Sequence, residues 1–488
     1  MNTSFYNGVI GIKSHQTGID IVSNNISNIE TTGYKSVEAE FSTLFSSALN
    51  DGYNDAVCSD LGLGSSITST STNLSQGSLL STDNSFDMAI EGEGWFGVQN
   101  GNNTCYTRDG SFSVNSNGDL VNSSGYYLLG TSGDNITPTT LPQEKLDQFG
   151  QIYENGTTKN ETPYQISPID SVNLSSVDSQ TKINLPDILY FPPIPTTEID
   201  YKANLDPSVQ MGIDPDTGEE VEVPNIEHFT TPLISPEGNR NTLDMTFTKI
   251  IPQQQSGSTW DATVQILEDS DIVYDATATY DSSKYKIDKD AQKVYKIVDS
   301  KTGTVSFNAN GALINNTIPP LSNGGTTLNL NLGTPLDPDI QSSGYDGLMS
   351  LKNNNFANSV QANGKMEGFL KGYGANKNGE IVAEFTNGES IPIAKVGIYH
   401  FQNDEGLSSV GNSLFQESSN SGKPIFYTDE NGNYFNNSKI ASYNLEQSNV
   451  SLSNALTELI VLQKSYDANA KSITTSDQMI QKAINMKT

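Results

Sequence analysis

Two stretches at opposite ends of this chain share a spacing that nothing between them has. Near the start, Phe5, Val9, Ile12, Gln16, Ile19, Ser23 and Ile26 advance in alternating steps of four and three. Near the end, Leu452, Leu456, Leu459, Gln463, Tyr466, Ala470 and Ile473 do the same. Such steps lay side chains along one stripe of an α-helix, the seam geometry of a coiled coil. The pattern predicts one helix from about Asn2 to Ile29 and another from about Val450 to Met486. Thr31-Thr32-Gly33 supplies a stop for the first. Gln16 and Gln463 each sit fourth in their stripe. A polar residue there either sets register at a cost in stability or faces a wet edge.

Between the helices the chain reads as turns and short strands. Met88-Ala89-Ile90, Gly92-Glu93-Gly94 and Trp95-Phe96-Gly97-Val98 read as strand, turn, strand, and Asn117-Gly118-Asp119 marks a later turn. Further on, Leu243 to Thr248, Trp260 to Val264 and Leu328 to Leu332 alternate in polarity. Phe191-Pro192-Pro193-Ile194-Pro195 is a stiff crossing segment and a natural boundary. The expected fold class is mainly β with α-helical coiled-coil termini, in a nested multi-domain arrangement. Residues 1–33 and 446–488 form the helical ends, and 34–81 an extended connector. Residues 82–190 and 341–445 form two parts of a β-rich body, and 191–340 an inserted outer β domain. Nesting brings the ends together, which suits a subunit that joins a polymer through its paired ends.

Composition narrows the function. The chain carries 57 acidic and 26 basic residues, a formal charge of -31. Phosphate backbones and anionic lipid would be repelled, so no nucleic acid and no membrane surface is expected as a partner. No apolar run reaches the ~18 residues of a membrane span. The opening MNTSFYNGVIGIKSHQTG lacks a basic region followed by an apolar one, so no Sec-type signal is read there. Cys58 and Cys105 are the only cysteines, far apart and in no metal spacing, so a disulfide framework is excluded.

Chemistry leaves little trace. His15, His228 and His400 are scattered, and neither a phosphate loop nor a nucleophile elbow occurs. Asp214 to Glu219 faintly resembles a calcium loop but lacks its spacing and later glutamate. No catalytic residue, cofactor or metal site is expected, and the chain does not read as an enzyme.

Four ordered blocks carry a resemblance. Ser23 to Lys35 (SNNISNIETTGYK) resembles the signature near the start of the bacterial flagellar rod, hook and basal-body axial protein family. Asp87 to Phe96 (DMAIEGEGWF) looks like its second signature, and Tyr106 to Phe112 with Asn117 to Leu120 its continuation. Leu445 to Val450, leading into Gln463 to Lys471, is similar to its terminal helix. Together these blocks bear on about the first 130 and last 130 residues. Gly368-Phe369-Leu370, Asn378 to Ile381, Phe385 to Gly388, Pro195-Thr196-Thr197 and Asn204-Leu205-Asp206 resemble hook members more than rod members. Two departures stand out: Ser27 where alanine is usual, and Trp95 where phenylalanine is common.

The resemblance implies a structural subunit that self-assembles into the flagellar hook, the flexible tubular joint carrying motor torque to the filament. The alternative is a distal rod or other minor hook-basal-body component. It implies a helical homopolymer as the main partner. The other implied partners are the distal rod, hook cap and hook-filament junction proteins and the flagellar type III export apparatus. It implies an extracellular place in the flagellum, reached without a Sec-type signal. The stripe residues would form the polymerisation interface, with terminal segments that order as they bind. Of the signature residues Asn24, Asn25, Asn28, Thr32, Gly33, Gly92 and Gly94, the asparagines either cap the helix end or touch neighbouring subunits.

Overall fold

The computed structural model describes residues 3–44, 47–48, 60–61, 64–143, 145, 162–213, 218–252, 256–337, 339, 341–352 and 357–486. Cys58 and residues 214–217 of the calcium-like stretch lie outside them. Two helices, α1 (Thr3–Ser27) and α2 (Leu452–Asn485), stand at the ends. They pack antiparallel: Gly8 faces Ile473, Gly11 faces Asn469 and Gly18 faces Leu462. Among the described residues no helix is long and apolar enough to cross a membrane.

Contacts divide the chain into two compact units. The first comprises Met1–Ile188, Lys371–Glu384 and Ser390–Thr488. The stretch after α1, expected as an extended connector, contains a long antiparallel hairpin. Val37–Thr43 pairs with Ser65–Thr72, from Val37↔Thr72 to Thr43↔Ser65, with a bulge at Glu40/Phe41. Its Ser, Thr and β-branched residues favour extended backbone, and α1 gives it a surface to lie on. Ser14 Oγ donates to Ser65 O at 2.7 Å, and the Phe41 ring lies 5.8 Å from that of His15.

The body of this unit interleaves the two halves of the chain. Met88–Glu91 does not pair with the strand that follows it. Its partner is Lys439–Ser442, with Ile90 opposite Ile440. Gly92 and Gly94, at φ +114° and +115°, turn the chain out of that pairing. Leu79–Ser81 likewise pairs with Asn444–Glu446. Trp95–Asn100 pairs with Asn103–Thr107 on one side and with Ile398–Tyr399 on the other. An aromatic core of Trp95, Tyr106, Tyr399, Phe401, Phe415 and Phe426 sits against these strands. Burial in it pushes the Tyr399 and Tyr106 hydroxyls well above the ordinary range. Cys105 is buried, and burial raises its thiol too.

The second unit comprises Leu189–Leu370 and Phe385–Glu389; the expected insert ends earlier, at 340. Its alternating strands build one core from two sheets. Leu243, Met245 and Phe247 of Arg240–Lys249 point inward beside Trp260, Ala262, Val264 and Ile266 of Ser258–Asp269. Ile199, Tyr201 and Ala203 of Glu198–Asn204 meet them from the other sheet. The Tyr201 hydroxyl, pushed up to about 12 by burial, is hydrogen-bonded to Thr231 Oγ1.

Candidate assembly face and the elbow that holds it

The first signature block builds the corner between α1 and the hairpin. The Asn25 amide mimics a strand partner: its Nδ2 donates to Val37 O at 2.7 Å and its Oδ1 accepts from Val37 N at 3.0 Å. The Tyr34 hydroxyl donates to the same Oδ1 at 3.1 Å and accepts from Asn24 Nδ2 at 3.3 Å. Asn28 Nδ2 donates back to Asn24 O at 2.9 Å, and its Oδ1 accepts from Thr31 Oγ1. Thr32 is half-buried in the turn that follows. Ser27 donates to Ser23 O at 2.9 Å on the exposed side, so its departure from alanine costs nothing in packing. Gly33 ends the turn at φ +66° and donates to Glu446 O at 2.8 Å. A Cβ there would lie 2.4 Å from Asp109 N.

The remaining blocks converge on Glu446. Its Oε1 accepts from Lys35 Nζ at 2.7 Å and from Gly77 N at 2.9 Å, and its Oε2 from Arg108 Nη1 at 3.2 Å. The Lys35 and Glu446 side chains are each 1% exposed. Lys35 also donates to Ser75 O at 2.8 Å, and Arg108 Nη2 to Gly92 O at 2.8 Å. Burial pushes both cations below their ordinary values, while the Glu446 carboxylate holds them up. Two buried cations on one carboxylate leave an excess of positive charge. The Trp95 ring, 5.7 Å from Arg108 Cζ, and the Asp404 and Glu93 carboxylates offset part of it. Trp95 Nε1 donates to Asp404 Oδ1 at 2.9 Å, a bond that phenylalanine could not make. A cavity of about 410 Å³ opens beside the cluster. Asn449 completes the corner: its Oδ1 accepts from Ser36 N at 2.8 Å and its Nδ2 donates to Asn73 O at 2.8 Å.

This elbow fixes which faces α1 and α2 turn to each other, and the two expected stripes do not simply meet. On α1 the buried positions are Gly8, Gly11, Ser14, Gly18, Val22 and Asn25; all but Ser14 lie one residue before an expected stripe member, and Ser14 and Asn25 bond to the hairpin strands at Ser65 and Val37. One residue is a rotation of about 100°. On α2 the inward series is Ala455, Leu459, Leu462, Tyr466, Asn469, Ile473 and Ser476, sharing only Leu459, Tyr466 and Ile473 with the expected one. Glycines on α1 let the backbones close up, so the tight seam forms on the small-residue face. Ile12, Ile19, Ile26 and Ala470 are half-buried at its margins. Phe5, Val9, Leu452 and Leu456 remain exposed, as do Gln16 and Gln463. Ile460 and Val461, each 57% exposed, and Ile484, 61% exposed, extend the apolar surface of α2. A monomer seldom leaves so much aliphatic surface open along one element. Lys35, Arg108 and Glu446 form no motif in the sequence, because 338 and 411 residues separate Glu446 from Arg108 and Lys35.

Among the described residues no group of three or more His, Cys, Asp or Glu side chains is placed to hold a metal. The arrangement holds and presents surfaces.

Three family profiles match the chain. One described as flagella basal body rod protein covers residues 5–35. One described as flagellar hook protein FlgE/F/G D1 domain covers 89–187, and flagellar basal body rod FlgEFG protein C-terminal covers 441–486. Lys35, Arg108 and Glu446 come one from each. Full-length relatives include flagellar hook protein FlgE of Borreliella burgdorferi, 28% identical over 504 residues and spanning all of both chains. Those of Salmonella typhimurium and Brucella suis are 25% and 27% identical, covering 99% and 98% of this chain and 100% and 98% of theirs. The crystal structure of Helicobacter pylori flagellar hook protein FlgE2 aligns at a TM-score of 0.46 and 14% identity, covering 75% of this chain and all of that one. These profiles and relatives are all of flagellar rod and hook axial proteins, to which the chain is similar along its whole length. Its full-length relatives are hook proteins, and its role is that of a structural subunit of the flagellar hook, a self-assembling axial polymer.

Proposed function

We propose that the subunit joins the hook through the apolar faces that α1 and α2 leave uncovered, while the Lys35–Glu446–Arg108 elbow fixes the angle at which the helix pair leaves the body. The exposed series Phe5, Val9, Leu452, Leu456, Ile460 and Val461 on a helix pair already closed on its other side carries this reading. Each such side chain gains ~1.5–3 kcal/mol when a neighbouring copy covers it. The stripe residues Ile12, Ile19, Ile26, Leu459, Tyr466, Ala470 and Ile473 line the margin where the intramolecular seam and the neighbours' helices meet.

The helical ends form the continuous inner tube and the β-rich units the outer part. Torque passes along the tube, and bending is taken up by sliding of polar outer surfaces. The chain leaves the cell unfolded through the flagellar type III apparatus, without a Sec-type signal. It assembles outside between the distal rod protein, the hook cap protein and the hook-filament junction protein. Antibody labelling of isolated hook-basal bodies tests its place. Label along the whole curved hook supports this reading; label confined to the rod supports the minor-component alternative and removes this one.

A further inference from the structure

Among the described residues, the only sulfur atoms of the helical pair lie at the far end of α2, in Met479 and Met486. Gly8 faces Ile473, and α1 starts at Thr3, five residues before Gly8. The last turns of α2, about two of them, therefore run on past the described part of α1. What they present is apolar. Met479 is 60% and Met486 85% exposed, with Ile480 and Ile484 exposed beside them. Val461 lies 18 residues before Met479, five full helical turns, and Met486 follows seven residues later, about two turns. The three stand along one side of the helix, the side on which Val461 belongs to the exposed apolar series.

Methionine differs from the leucine and isoleucine around it in one respect that matters for such a face. Its unbranched thioether adapts to a partner's surface, and it is the one aliphatic side chain there that an oxidant can make polar. A sulfoxide is polar and chiral, and it disrupts contacts that depend on apolar burial. The other described sulfurs are placed differently. Met88, Met245 and Met349 are buried, and Met211 and Met366 are exposed on the second unit. Cys105 is buried, and burial keeps it as the neutral thiol, a poor nucleophile. On the helical pair, reactivity toward an oxidant thus falls on the two methionines at the open end of the assembly face.

We propose that Met479 and Met486 form a reversible oxidation site that controls entry of the subunit into the polymer. Peroxides are the oxidants. The thioether sulfur attacks one peroxide oxygen, the O–O bond breaks and an S=O bond forms. Sulfur loses two electrons, and the second oxygen of hydrogen peroxide leaves as water. The oxidised subunit carries two polar groups on a face that a neighbour must cover, so it does not join. A subunit already in the tube has that face covered and is shielded, so oxidant halts growth and leaves finished tubes intact. This rests on the reading that the uncovered side of α2 is buried by neighbouring copies, and its test separates the two.

Full-length chain in a Cys58→Ser background is treated with hydrogen peroxide as free subunits, cleared of oxidant and set to assemble. Tube yield by sedimentation should fall at least tenfold, and methionine sulfoxide reductases for both epimers should restore it. Met211→Leu/Met366→Leu should lose assembly to the same degree. Met479→Leu/Met486→Leu, compared with its own untreated sample, should lose none. Peptide mass mapping should find Met479 and Met486 oxidised at least tenfold more slowly in finished tubes than in free subunits. If Met479→Leu/Met486→Leu blocks assembly untreated, the reductase rescue and the mapping decide. Chain bearing both sulfoxides that assembles like the untreated chain, a loss the reductases do not reverse, or an equal loss in Met479→Leu/Met486→Leu overturns the oxidation site and leaves polymerisation standing. Equal reactivity of both methionines in tubes and free subunits overturns it too. Failure of the untreated chain to form tubes overturns both.

Discussion

Glu446 is the residue on which most of the corner depends. Removing its carboxylate leaves Lys35 and Arg108 buried without their counter-ion, which costs about 3–5 kcal/mol for a buried pair. Glu446→Ala should lower the denaturant midpoint accordingly, and Glu446→Gln by less, because the amide oxygen still accepts one bond. His400 gives a pH handle. It is buried, with its ring 4.7 Å from that of Tyr427, and it faces Asp404, Glu93 and Arg108. Burial is the larger influence and holds it below its ordinary 6.5, against the pull of the two carboxylates. Below 6.5 the unfolded chain therefore binds more protons than the folded one. The stability contributed by neutral His400 is complete above that value and is lost as pH falls from it through the depressed folded value. Thermal unfolding across this range should fall more steeply for the native chain than for His400→Gln. The residues of this corner all lay within or beside the legible signature blocks, yet their convergence was not legible. Spacing reports neighbours within a helix or strand, and Lys35 and Glu446 share neither.

The elements were legible in kind and not in pairing. Steps of four and three located both helices, because helical periodicity is a local property. On α1 the glycines meet α2, while Ile19 and Ile26 of the stripe pack against the Val22, Ala455 and Leu462 cluster beside them. Apolar residues mark a surface to be covered but do not say by what, and the glycines that admit α2 carry no hydrophobic signal. Met88–Glu91 was legible as a strand, but not its partner Lys439–Ser442 near the far end of the chain. Two expected outcomes belong here. Gly11→Leu must displace Asn469, whose side-chain amide lies 2.7 Å from the position of a new Cβ. It should therefore destabilise the α1–α2 pair by about 1–3 kcal/mol, read as earlier loss of the helical circular dichroism signal on heating. Asn25→Ala removes both bonds to the Val37 backbone. The Val37 amide should then exchange with deuterium markedly faster, while amides of the Arg240–Lys249 strand keep their protection.

At the scale of the whole molecule the chain divides its labour. The first unit locks its ends together and turns an aliphatic surface outward; the second encloses its own core and exposes charged, polar edges. On the proposed reading the acidic surface keeps subunits apart until specific faces meet, and the terminal helices supply those faces. Nesting of the body between helical ends was legible because signature blocks lay at both ends. The reach of the second unit to Leu370 was not, since the polar, turn-rich segment after residue 340 shows no change in pattern. The central claim is that the uncovered side of α2 drives assembly. The direct measurement is polymerisation of Leu456→Asp/Ile460→Asp, followed by sedimentation and electron microscopy, with near-ultraviolet circular dichroism reporting on the aromatic core. Both substituted positions are exposed in the single subunit, so the folded body should keep its aromatic signal while tubes fail to form. Tubes as abundant and as long as those of the native chain would contradict the account.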